Sequence, residues 1–253
     1  MSVKLSKKIM SKLGKTNAEF GLIEEGDKIL VGLSGGKDSL TLIHALQEQS
    51  RRAPFAFEFI AVTISYGMGE NYDALSKHCA QHGIKHIVKE TQTYDLAKEK
   101  IRKNSSFCSF FSRMRRGYLY SVAQELGCNK VALGHHMDDA AESFFMNFIY
   151  NGQMRSLAPK YTAENGLVVI RPLIQMRERQ LRAFVVDNEI EAIGDEACPA
   201  MRFDVKMPHA RESTKEMLAK MEQEFPDLFT SLNAAFKNIS VESFFMGETQ
   251  KPL

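Results

Sequence analysis

Five short β-prone runs recur along the chain, and between them lie stretches with the spacing of amphipathic helices. The runs are 28–33 (KILVGL), 57–64, 85–89, 130–133 (KVAL) and 167–171 (LVVIR). Helical spacing falls over 40–49, 71–82, 94–101, 109–126, 138–150 and 178–188. A strand that hands over repeatedly to a helix cannot pair with its sequence neighbour as a hairpin. It must cross over and lie parallel. The pattern therefore predicts an α/β fold, a doubly wound parallel sheet with helices on both faces. Leu5, Ile9, Met10 and Leu13 place a further helix ahead of the first strand, and helices broken at Pro226 follow Ala210. The expected organisation is an N-terminal helical extension over 1–21, one ligand-binding domain over 22–199 and a C-terminal helical extension over 200–253.

The chain has 253 residues, 44% hydrophobic and 25% charged, which suffices for one large core with extensions. Lys plus Arg is 33 against 31 for Asp plus Glu, a formal net charge of +2. That balance excludes a wholly basic nucleic-acid binder and leaves room for a local basic patch. No apolar run approaches the roughly 20 residues of a membrane helix, and the lysine-rich start lacks an apolar signal-peptide core. A cytoplasmic protein without a membrane partner is expected. Cys79, Cys108, Cys128 and Cys198 are scattered, with no C-x-x-C pair, so a disulfide framework is not expected.

Ser34-Gly35-Gly36-Lys37-Asp38-Ser39 lies between the first strand and the helix after it. Ligands bind at such strand ends. Two glycines let an anion approach the backbone, and the amides and dipole of the next helix favour negative charge. Lys37 adds a mobile cation, and Ser34 and Ser39 add hydroxyls. Asp38 beside phosphates would be repulsive without an intervening cation, which implies Mg²⁺. The run is neither G-x-x-x-x-G-K-[ST] nor G-x-G-x-x-G. The plain alternative is a Gly-Gly turn with a solvated lysine and aspartate.

Gly134, His135, His136, Met137, Asp138 and Asp139 follow the fourth strand. Either acid could cap the helix that starts there. Both could also hold Mg²⁺ on nucleotide phosphates, with a histidine touching phosphate. Arg113, Arg115 and Arg116 form a dense cationic group early in a long helix, suited to phosphate or RNA backbone. Arg102, Lys103 and the N-terminal lysines could extend that patch. Arg171, fixed by Pro172, ends the fifth strand.

The S-G-G-K-D-S run resembles the pyrophosphate-binding loop of the PP-loop ATP pyrophosphatases, relatives of the adenine nucleotide α-hydrolases with a Rossmann-type sheet. Gly134 to Asp139 resembles the G-H-H-x-D-D block of that superfamily. Ser112 to Gly117 (SRMRRG) and Ile170 to Leu173 (IRPL) resemble blocks of its tRNA 2-thiocytidine synthetase branch, TtcA-type. The resemblance implies an enzyme that splits ATP between its α and β phosphates and adenylates a tRNA base, at C2 of an anticodon-loop cytidine. Sulfur then displaces AMP. It implies ATP and Mg²⁺ as cofactors, and tRNA, a sulfur donor and a second copy of the chain as partners. Ser34 to Ser39, Gly134, His135, Asp139 and Arg171 would bind nucleotide. Ile64 would offer backbone bonds to adenine. Asp38, Asp138 and Asp139 would hold Mg²⁺, and Arg113, Arg115 and Arg116 would meet RNA. Lys37, Asp38, Asp138, Cys108 and Cys198 would carry the chemistry.

The chain departs from the branch in two places. The branch has two C-x-x-C motifs, and three of those cysteines hold an iron–sulfur cluster. Here they read Cys108-Ser109-Phe110-Phe111 and Cys198-Pro199-Ala200-Met201. A cluster could keep a non-cysteine ligand among Asp195, Glu196, Asp204 and His209. The two cysteines could carry sulfur as a persulfide without a cluster. Or the site could be vestigial. Second, where the branch has an acid after the second strand, this chain has Thr63-Ile64-Ser65-Tyr66-Gly67-Met68-Gly69, either a plain loop or one that closes over a ligand. Two other functions stay open: adenylation followed by a different nucleophile, as in lysidine synthetases, or an ATP-binding regulator without sulfur chemistry.

Overall fold

The computed structural model describes residues 3–100, 107–192 and 210–244. Its elements run α1 (Lys7–Phe20), β1 (Lys28–Gly32), α2 (Lys37–Arg52), β2 (Glu58–Ile64), α3 (Asp73–Gln81), β3 (His86–Lys89), α4 (Thr93–Lys100) and α5 (Phe107–Glu125). They continue with β4 (Lys130–Ala132), α6 (Met137–Asn151), β5 (Lys160–Thr162), β6 (Val168–Ile170), α7 (Glu178–Asp187), α8 (Ala210–Glu224) and α9 (Leu228–Ala235). All five expected strands are present. The sheet order is β3-β2-β1-β4-β6-β5, and every pair is parallel except β5 with β6.

Chain order climbs from β1 outward to β3, then returns to place β4 on the other side of β1. That reversal opens a crevice beyond the carboxyl ends of β1 and β4, where such folds take ligands. The central strands are buried on both faces, so they read as unbroken apolar runs. Ile29 and Val31 face a core built with Leu13 of α1, Leu42, Ile43 and Leu46 of α2, Cys79 of α3, and Leu181 and Phe184 of α7. Leu30, Val62, Val131 and Val169 face the opposite side, under Leu119, Val122 and Ala123 of α5. Met137 and Ala141 of α6 form a smaller cluster with Leu218 of α8 and Phe229 of α9. Helix α1 thus shares the main core.

Strand β5 was not anticipated. Thr162 pairs with Val168 across a short hairpin in which the Ala163 N–H donates to the Leu167 carbonyl. The signal was Asn165-Gly166, a turn dipeptide between β-prone residues; Gly166 has φ 83°.

Lys130, the first residue of β4, is 3% exposed. Its ammonium lies 2.7 Å from Asp27 and 3.1 Å from Glu24, and donates to the Leu22 carbonyl at 3.0 Å. Asp27 also accepts from the Glu24 N–H and from Asn129. Burial raises the Asp27 pKa, but Lys130 and these donors outweigh it and hold the carboxyl below the ordinary range. The entry to the first strand is thereby tied to the fourth.

Candidate nucleotide site at the sheet switch point

Gly35 turns the chain at φ 85°, and Gly36 begins α2 as its N-cap. No side chain caps that helix, so its first-turn amides face the crevice without an internal acceptor. The Ser39 hydroxyl is buried. It donates to the Gly36 carbonyl at 3.0 Å and lies 3.2 Å from both the Ser34 amide and the Ser34 hydroxyl. It therefore braces the loop from inside. Gly134 closes the other wall: a Cβ there would stand 3.2 Å from Asp38 C and Ser39 N. The end of β4 rests directly on the first turn of α2.

The Lys37 ammonium lies 3.0 Å from Glu178 Oε1 and 3.3 Å from Asp38 Oδ2. Burial would lower its pKa, but Asp38 and Glu178 raise it above the usual lysine value. Glu178 is held near pKa 2: burial works against ionisation, and Lys37 and Lys215 overcome it. Asp38 behaves oppositely. Burial, with Asp139 adding repulsion, raises its carboxyl above the usual range despite His136 and Lys37. Its Oδ1 is buried without a hydrogen-bond donor; His136 Nε2 is 3.7 Å away.

His136 and Asp139 form a reciprocal cap on α6. The Asp139 N–H donates to His136 Nδ1 at 3.4 Å, and the His136 N–H donates to Asp139 Oδ2 at 3.0 Å. Burial disfavours the imidazolium, but Asp138, Asp139 and Asp38 raise the His136 pKa above its ordinary value. Asp139 Oδ1 accepts from Arg211 at 2.6 Å. His135 is pushed down to about pKa 4 by burial and by Arg171, whose Nε donates to His135 Nδ1 at 3.2 Å. Arg171 is buried, bonds the Ala158 carbonyl and stacks over Tyr161.

Asp138 is the most heavily partnered acid of the block. Both its oxygens accept from Arg177 Nε, at 3.1 and 3.2 Å, and Oδ2 also takes the Glu178 N–H at 2.7 Å. Arg177 in turn makes a bidentate pair with Glu222 at 2.6 and 2.8 Å and lies over the Phe229 ring. Asp138 is thus a bracket joining α6 to α7 and α8, and it does not present an open oxygen to the crevice. Arg177, Glu178, Arg211 and Glu222 were missed in the sequence, where nothing in their spacing links them to the loop.

Ile64 ends β2. The Val62 carbonyl accepts from Leu33, while the Ser65 N–H donates to Lys89 on the other side. Parity turns the Ile64 backbone groups toward β1, past Gly32, its last paired residue. The turn after Ser65 is fixed by Glu70, whose carboxylate accepts from the Tyr66 and Met68 amides at 2.8 Å each. Gly67 has no room for a side chain: a Cβ would sit 2.5 Å from the Thr91 carbonyl.

Arg113 and Arg116 are exposed on α5 and Arg115 is half-buried. Helix α5 covers one face of the sheet and α1 the other. The N-terminal lysines on α1 therefore do not extend the arginine patch; that expectation is corrected by the layering. Arg102 and Lys103 lie outside the described residues, as do Cys198, Met201, Asp195, Glu196, Asp204 and His209. Cys108 falls in the first turn of α5. Cys79 and Cys128 are buried in the two cores. Phe111, at the position of the missing cysteine, is 3% exposed and packs edge-on against Tyr66 at 5.7 Å. A ring fills that space, so the chain offers two thiolates at most, Cys108 and Cys198. A cluster with three or four cysteine ligands does not fit this donor set.

A parallel sheet with a phosphate-type loop and an acidic block at its switch point defines a nucleotide-binding α/β domain of the PP-loop class. The PP-loop domain family model matches residues 4–207, and the chain belongs to that family. It is 40% identical to a tRNA-cytidine(32) 2-sulfurtransferase of Geobacter metallireducens over 97% of this chain and 95% of that one. It is 41% identical to the Syntrophotalea carbinolica protein of the same name, over 93% and 90%. In fold it is similar to the U34-tRNA thiolase NcsA of Methanococcus maripaludis, at TM-score 0.73 and 23% identity, over 92% of this chain and 79% of that one. Among the described residues, no helix is long and apolar enough to cross a membrane.

Proposed function

We propose that the protein is an ATP-dependent tRNA thiolase that replaces the C2 oxygen of an anticodon-loop cytidine with sulfur. What carries this reading is the near full-length identity of 40% to tRNA-cytidine(32) 2-sulfurtransferases. The phosphate loop, the Gly134–Asp139 block and Arg171, gathered at one sheet edge, support it.

The first-turn amides of α2 bind the β and γ phosphates, and Lys37 moves from Glu178 to neutralise charge as pyrophosphate forms. The orphaned oxygen of Asp38 suits a hard cation, so Asp38 is the residue that would hold Mg²⁺, and Asp139 would join it by giving up Arg211; when bound the ion supplies charge neutralisation at the phosphates. The backbone of Ile64 takes the adenine edge. His135, neutral at physiological pH, and Arg171 line the same edge for phosphate or for the base. Arg113 and Arg116 grip tRNA backbone from α5, with Arg115 nearer the crevice. A splayed cytidine presents its C2 oxygen to the α phosphate, and sulfur then displaces AMP. An external donor loads one of Cys108 and Cys198 as a persulfide; its outer sulfur bonds to C2 as AMP leaves, the other thiolate breaks the remaining S–S bond to free 2-thiocytidine, and a thiol reductant reopens the Cys108–Cys198 disulfide that results. The working unit is a homodimer in a cytoplasmic setting, which light scattering on the purified chain tests for size.

Nucleoside mass analysis of tRNA from a deletion strain tests the reading. Loss of 2-thiocytidine, restored by the gene, is expected. Unchanged 2-thiocytidine refutes it. ATP–pyrophosphate exchange that requires tRNA separates an adenylating enzyme from a regulator that only binds ATP.

A further inference from the structure

Away from the crevice, three histidines meet between α2 and α3. His44 lies in the middle of α2 and is 3% exposed. His78 and His82 are four residues apart at the end of α3 and half-buried, which puts both on one side of that helix. His44 Nε2 and His78 Nε2 are 2.8 Å apart. One nitrogen from each ring falls within 4.8 Å of the other two. The rings of His78 and His82 each meet His44 nearly edge-on, at 90° and 87°. Phe184 of α7 flanks His44 at 5.9 Å.

We propose that His44, His78 and His82 form a binding site for Zn²⁺, separate from the nucleotide crevice. Three imidazole nitrogens with no carboxylate or thiolate are a borderline-soft donor set, which selects zinc-class metals over Mg²⁺ or Ca²⁺. Zinc–imidazole bonds of about 2.0–2.1 Å in tetrahedral geometry need ligand nitrogens about 3.3 Å apart. Two of the nitrogens stand 2.8 Å apart and all three lie within 4.8 Å of one another, close enough for ring rotation to bring them onto one ion. Unprotonated imidazoles carry the lone pairs a metal needs. Half-exposure of His78 and His82 leaves the fourth position to solvent. A metal here would clamp α3 to the helix whose first turn forms the phosphate loop.

The test uses the full chain in a Cys108→Ala/Cys198→Ala background, stripped with chelator and titrated with Co²⁺ and then Zn²⁺. One equivalent of Co²⁺ should give visible d–d absorption without a thiolate charge-transfer band, and Zn²⁺ should displace it. Zn²⁺ should also raise the melting temperature. Both effects should be lost in His82→Gln, a half-buried position whose fold is checked by circular dichroism, and in His44→Leu. Absence of stoichiometric binding overturns the site. So does binding that His82→Gln leaves unchanged, or a charge-transfer band that places the metal on Cys79 or Cys128.

Discussion

Glu178 Oε1 lies 3.0 Å from Lys37 Nζ, so the cation of the phosphate loop is held by the first residue of α7. Phosphate must compete with that carboxylate. Lys37→Ala should abolish ATP–pyrophosphate exchange while leaving the fold intact. Glu178→Gln should bind pyrophosphate about three- to tenfold more tightly, the worth of a half-buried ion pair of about 1 kcal/mol. Isothermal titration decides it. Weaker pyrophosphate binding in Glu178→Gln would show that the carboxylate positions the lysine and does not compete for it.

Asp38 and Asp138 should separate when substituted. Asp38→Asn should lose the part of ATP affinity that depends on Mg²⁺, with stability changed by less than about 1 kcal/mol, because its buried oxygen has no donor to lose. Asp138→Asn should keep the Mg²⁺ dependence and lose about 3 kcal/mol of stability, since it leaves Arg177 short of one partner. Titration with and without Mg²⁺, together with urea unfolding, checks both. Equal behaviour of the two variants sinks the division of roles.

Lys130 and Asp27 make a pH prediction. The Asp27 pKa is depressed in the folded state, so its contribution is present above the unfolded value of about 3.9 and is lost as pH falls through the folded value. Asp27→Asn should cost about 3 kcal/mol near neutral pH, by leaving a buried ammonium with less compensation. The gap between wild type and variant should narrow as pH drops below about 4. Denaturant unfolding across that window reads it; a constant gap contradicts the ion-pair account.

Arg113→Ala and Arg116→Ala should weaken tRNA binding, each lowering the slope of log affinity against log salt by about 1. ATP binding without tRNA should not change, because both side chains are exposed on α5. Filter binding at several salt concentrations checks the slope. An unaltered slope moves the RNA surface elsewhere. Substituting Lys7 and Lys8 should do little, since α1 lies against the other face of the sheet.

The central parallel strands were legible because they are buried on both faces and read as short apolar runs, as Lys28–Gly32 and Lys130–Ala132 do. The loop was legible because local backbone needs, two glycines before a helix, are written locally. What sequence could not show was partnership over distance. Asp138 looks like a free acid until Arg177, 39 residues on, is seen to hold it. Glu178 and Lys37 are joined only by the packing of α7 along α2. Edge strand β5 escaped because three residues, Lys160–Thr162, carry too little periodicity of their own.

Gly134 carries a mechanical consequence. With no side chain between β4 and the first turn of α2, the phosphate cradle and the acidic block have no slack between them. They form one rigid jaw. On the proposed function, the motion that admits a tRNA or releases pyrophosphate is expected at the rim, where Lys37 and Arg177 hold ion pairs that can exchange, and not at this contact.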